Sequence, residues 1–124
     1  MTIDLFNQLK EKYSNLLKEV KVIECEDGWY NVIETLCSKI QKYINDNEEP
    51  QTRFLKIKKL YGTLSIDAFT NGDGAIDDMI EEAEEQSLSV CELTGKKGEM
   101  HCRGSIYQVL SPSKAAETKM TPVN

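Results

Sequence analysis

The side chains best suited to metal or nucleophilic chemistry fall within one short stretch, CELTGKKGEMHC, which holds Cys91, His101 and Cys102. A zinc knuckle wraps backbone amides around two thiolates of a Cys-x-x-Cys turn, and the glycines at 95 and 98 suit such a turn. Thr94 stands where the second thiol belongs. Cys25 could complete a set only from a distant part of the chain. No metal or other cofactor is therefore expected, with Cys91, His101 and Cys102 as the candidate ligands if one were held. His101 is the only histidine, so a Cys-His nucleophilic pair would require it to reach Cys25, Cys37 or Cys91. In a strand its neighbour Cys102 points to the opposite side. Nucleophile-elbow, phosphate-loop and dinucleotide-loop patterns are missing from the sequence, and the expectation is a protein that is not an enzyme.

A second stretch, TNGDGAIDDM at residues 70–79, has part of the spacing of a calcium-binding EF-hand loop. Placing Gly74 at the sharp turn puts Asn71, Asp73 and Asp77 at ligand positions. Phe69 and Ile80 then occupy the first and last ligand positions, where carboxylates are required. The same letters specify a turn and a helix start: Asn-Gly and Asp-Gly supply positive φ, Asp73 can cap a helix opening at Ala75, and Asp77 and Asp78 suit its first turn.

The third candidate is basic. Lys56, Lys58 and Lys59, with Arg53 just before them, stand out in a chain of net charge −6. If FLKIKKLYGTLSIDAF is a hairpin turning at Gly62, Leu55 and Ile57 face the core with Leu64, Ile66 and Ala68. Lys56 and Lys58 then share the outer face with Thr63 and Ser65. Ammonium and hydroxyl donors on one rigid face suit a phosphate or carboxylate. The competing reading is that strand lysines deter edge pairing.

The elements that must position these groups are legible from periodicity. Leu5, Leu9, Tyr13, Leu16 and Val20 recur at helical spacing and predict a helix from Thr2 to about Val20. KVIEC is a β-prone connector. Trp29, Val32, Ile33, Leu36, Cys37, Ile40, Tyr43 and Ile44 form the stripe of a second helix, ended by NDNEEP at 45–50. A third runs from about Ala75 to Leu88, with Ile76, Met79, Ile80 and Ala83 inward and Glu81 to Glu85 outward. SIYQVL at 105–110 is a last strand. The expected fold class is α+β, with three helices packed on one face of a small antiparallel sheet in a single domain at 1–110, followed by a disordered tail at 111–124.

A length of 124 residues with 40% hydrophobic content is enough for one domain with its own core. No apolar run approaches a membrane span, and the N-terminus is an acid-containing amphipathic stretch rather than a signal peptide. A cytoplasmic location is expected, with the four cysteines reduced. The acidic balance argues against direct nucleic-acid binding.

Over about Ile23 to Gly98, through ECEDGWYNVIETLC, KIKKLYGTLSI and IDDMIEEAEEQSLSVCELTGKKG, the chain resembles a group of small proteins encoded by bacteriophages and prophages. In that group the last block is similar to a Cys-x-x-Cys-Gly zinc knuckle; Cys91 and Gly95 match and Thr94 departs. The resemblance implies an accessory binding or inhibitor protein in the host cytoplasm, expected to be a homo-oligomer, that counters a host defence system. The leading expectation is sequestration of a nucleotide immune signal, because the Lys56/Lys58 face is more specific than a general excess of acid, with Lys56, Lys58, Thr63 and Ser65 on its phosphates and Trp29, Tyr30 or Tyr61 on its base. A direct inhibitor would instead meet a defence protein with the acidic face of the third helix. The remaining reading is a degenerate zinc-knuckle domain with a structural role.

Overall fold

A computed structural model of the chain describes residues 1–48 and 52–123. Among these residues lie four α-helices and two three-stranded sheets, so the α+β class holds while the arrangement is richer than three helices on one sheet.

Helix α1 covers Ile3–Lys12 and buries Phe6 and Leu9. It stops well short of Val20, although Leu16, Leu17 and Val20 are all buried. The Leu16 carbonyl, which a longer helix would pair with the Val20 amide, instead accepts from the amide of Phe54 at 2.8 Å. Tyr13 at the break donates its hydroxyl to Glu34. The connector KVIEC supplies strand β1 at Ile23–Glu24. The N-terminal ammonium donates to the carbonyls of Ile23 and Cys25.

A 3-10 turn at Asp27–Trp29 leads into α2 at Tyr30–Asn47, whose stripe of Val32, Ile33, Leu36, Cys37 and Ile40 is buried as its spacing predicts. Of the expected terminator NDNEEP, Glu49 and Pro50 lie outside the described residues. Strands β2 (Arg53–Leu60) and β3 (Thr63–Phe69) form the expected antiparallel hairpin. Tyr61 and Gly62 turn it with φ of 51° and 83°, the two positive values that a two-residue turn matched to strand twist requires. β1 joins the other edge of β2 in parallel, so this sheet is mixed rather than purely antiparallel.

One register detail overturns an expectation. The pairing shifts between Phe54 and Lys56, and this β-bulge sends Phe54 into the core and leaves Leu55 47% exposed. An extra residue in one strand reverses the in-out assignment on one side of it.

Helix α3 covers Gly74–Ser87 and buries Ile76, Ile80 and Ala83. Asp73 caps it, its Oδ1 accepting from the amides of Ala75 at 2.9 Å and Ile76 at 3.3 Å. The preceding turn has Asn71 at φ 53° and Gly72 at 75°. The calcium-loop letters thus serve as turn and cap.

Strands β4 (Glu99–Arg103), β5 (Ile106–Leu110) and β6 (Thr121–Pro122) form the second sheet in the order β5-β4-β6. Between β5 and β6 lies α4 at Pro112–Thr118. Residues 111–123 are therefore built into the fold rather than forming a disordered tail: Pro122 and Thr121 pair with His101 and Cys102, and Ala115 packs with Cys91 and Leu110. The short helix opens on Pro112, whose fixed φ and missing amide suit a first helical position. No helix among the described residues is long and apolar enough to cross a membrane.

Candidate binding surfaces

The turn that begins at Cys91 folds as a knuckle without a second thiol. Cys91 donates its amide to the Lys96 carbonyl at 2.6 Å, and its own carbonyl accepts from Gly95 at 2.9 Å. The turn lies on Gly28: the Gly28 amide donates to the Glu92 carbonyl at 2.7 Å, and a Cβ at Gly28 would sit 2.3 Å from the carbonyl oxygens of both Cys91 and Glu92. Burial pushes the Cys91 thiol upward, but hydrogen bonds from the Thr94 hydroxyl and from the backbone at Ser111, Thr94 and Leu93 outweigh it and bring the thiol down to about 7. By contrast, burial pushes Cys25 and Cys37 up to about 12.

Ease of ionisation does not make Cys91 a nucleophile, because the residue is 0% exposed and offers no approach to a substrate. His101 and Cys102 do not converge on it. His101 is buried with its Nδ1 bonded to the Glu99 carbonyl at 2.7 Å, whereas Cys102 lies beside Thr121. Among the described residues no three His, Cys, Asp or Glu side chains gather as a metal site.

The basic strand face forms only in part. Lys56 and Lys58 stand on the outer side of β2 opposite Asp67 and Ser65, so a carboxylate interrupts the donor row. Thr63 spends its hydroxyl on the Leu60 carbonyl at 2.9 Å, and Tyr61 at the hairpin tip is 78% exposed. Tyr30 is partly buried against the core. Trp29 is 0% exposed and donates its indole N–H to the Val90 carbonyl at 2.9 Å, so as a base-stacking platform it must be withdrawn. The other two cations of the cluster are also committed. Lys59 points inward to Glu92 at 3.0 Å, and the Arg53 guanidinium lies 4.8 Å from the centre of the Phe69 ring.

Beside that face is a groove unforeseen in the sequence. β3 is the sheet edge, and α3 seals it: the Leu64 amide donates to the Ser87 hydroxyl at 3.1 Å, and the Ile66 amide to Glu84 at 2.9 Å. This closes the edge to strand pairing and leaves a groove of about 340 Å³ between hairpin and helix, with Leu60, Leu64 and Leu88 against Glu81, Glu84 and Glu85. Leu60 and Leu88 are 46% and 44% exposed. The one available signal was Leu60 itself, an apolar residue at a position on the lysine face.

A second cleft, of about 490 Å³, opens beside β4 and is lined by Lys97, Gly98, Glu99, His101, Leu110 and Pro112. It includes two residues of the segment expected to be outside the domain or at its end, so sequence reasoning could not assemble it.

No family model, curated protein or solved structure matches the chain.

Proposed function

We propose that the protein is a non-enzymatic binding protein that inhibits a basic protein partner through the groove between β3 and α3. The observation that carries this reading is the juxtaposition of exposed Leu60 and Leu88 with the carboxylates of Glu81, Glu84 and Glu85. Apolar surface buries a hydrophobic anchor, and a carboxylate wall selects and steers a positively charged one. Tyr61 at the hairpin tip extends the apolar surface with a side chain of the type enriched at interfaces. Combined with the resemblance to phage-encoded accessory proteins, the partner class is a defence protein of the host presenting a basic amphipathic segment.

Sequestration of a nucleotide signal has less support. Asp67 lies across from Lys56, the Glu81 to Glu85 wall borders Thr63 and Ser65, and Trp29 is inside the core. A polyanion there would meet carboxylates on two sides.

The test is an NMR titration with a synthetic helical peptide carrying Leu on one face and Lys on the other. Shift changes should centre on Leu60, Leu64 and Leu88, weaken with added salt, and fall more than about tenfold in affinity for E81K/E85K, which reverses two exposed charges. Equal binding of a Glu-for-Lys peptide would refute the docking reading. A nucleotide retained in native mass spectrometry, from cells running a nucleotide-signalling defence, would move the function to sequestration.

A further inference from the structure

The cleft beside β4 differs in chemistry from the groove between β3 and α3. Glu99 and His101 share one face of β4 by strand alternation, Lys97 in the bridge to Val90 just before it lines the same cleft, and Leu110 is paired directly opposite Glu99. The cleft thus sets the exposed ring of Pro112, with the fully buried Leu110 behind it, beside an ammonium, a carboxylate and an imidazole. Its volume of about 490 Å³ lies in the range that holds small molecules.

The state of His101 decides what these groups can recognise. A carbonyl oxygen only accepts, so the bond from Nδ1 to the Glu99 carbonyl places the proton of the neutral ring on Nδ1 and leaves Nε2 as an acceptor. His101 is only 7% exposed, and among the described residues Nε2 has no hydrogen-bond partner, yet it is not a fully buried atom. It therefore meets solvent, on a residue that lines the cleft. Among the described residues neither Glu99 nor Lys97 makes an ion pair.

We propose that this cleft binds a compact zwitterion with an apolar body, of the chemistry of a free aliphatic or aromatic amino acid. Its ammonium lies between Glu99 and His101 Nε2, its carboxylate meets Lys97, and its side chain lies against Pro112. Two acceptors match the ammonium and one donor the carboxylate that such a ligand presents. A phosphate is opposed by Glu99, and a metal ion would find only two ligands where a held zinc needs three or four.

The experiment is a titration of the full chain with leucine and phenylalanine, read from amide shifts at Gly98 and His101. N-acetyl-leucine lacks the ammonium, leucinamide lacks the carboxylate, and AMP presents a phosphate. Leucine or phenylalanine should shift both amides, while N-acetyl-leucine and leucinamide bind about tenfold or more weakly. E99A should remove the preference for leucine over N-acetyl-leucine, and K97A its preference over leucinamide. Both substitutions are at exposed positions and leave the spectrum elsewhere unchanged. Absence of shifts with millimolar leucine and phenylalanine overturns the proposal. So does equal binding of leucinamide, which would instead identify a peptide N-terminus as the chemistry recognised, or tighter binding of AMP.

Discussion

Replacing Lys59 with Met tests whether the lysine cluster is a surface feature or part of the core. Glu92 is 0% exposed and its carboxylate has two partners, the Lys59 ammonium at 3.0 Å and the Glu26 amide at 3.2 Å. Removing one partner of a buried ion pair costs about 3–5 kcal/mol, because the remaining charge stays out of water. The Lys59 side chain is itself 32% exposed, and screening there argues for the lower end, about 3 kcal/mol. Against a total stability of about 5–15 kcal/mol this is a large fraction. With a urea slope of about 1.5 kcal/mol per molar, it lowers the midpoint by about 2 M. K56M is the control: the same chemical change on the outer face should move the midpoint by less than about 0.5 kcal/mol equivalent. Combining K59M with Glu92→Gln should restore part of the loss, since the uncompensated charge is gone. If K59M and K56M shift the midpoint equally, the inward assignment of Lys59 and the buried state of Glu92 are wrong.

Two further predictions concern the knuckle. Gly28→Ala places a Cβ 2.3 Å from two backbone oxygens, and neither can rotate away as a side chain would. It should cost about 3 kcal/mol, the upper end for overpacking, measured by urea unfolding. The Cys91 thiol is held at about 7, below its ordinary value of about 8.5. A depressed folded value means that the unfolded chain holds the proton longer, so the contribution is fully present above about pH 8.5 and is lost as pH falls through about 7. The stability difference between the wild type and Cys91→Ala should therefore grow in favour of the wild type between pH 6 and 9. A flat difference would show that the amide cradle does not stabilise the thiolate.

The sequence alone determined the helical stripe of α2, the inward face of α3, the hairpin turning at Gly62 and the cap at Asp73. Each depends on neighbours within a few residues: side-chain periodicity, positive φ, or a carboxylate next to free amides. It also marked Cys91 as a knuckle residue, since the turn is local. What it left undetermined depends on partners far along the chain. Helix α1 ends early because the Leu16 carbonyl finds Phe54. Leu55 turns outward because one bulge shifts the register. Trp29 is in the core because Val90 meets its indole, and Lys59 turns inward because Glu92 is there. The two clefts follow the same rule. One needs α3 laid along the edge of β3, and the other needs residues 110–112 folded back beside β4. Spacing specifies which face a residue occupies on its own element, whereas only tertiary packing decides which faces meet and which are left open to a ligand.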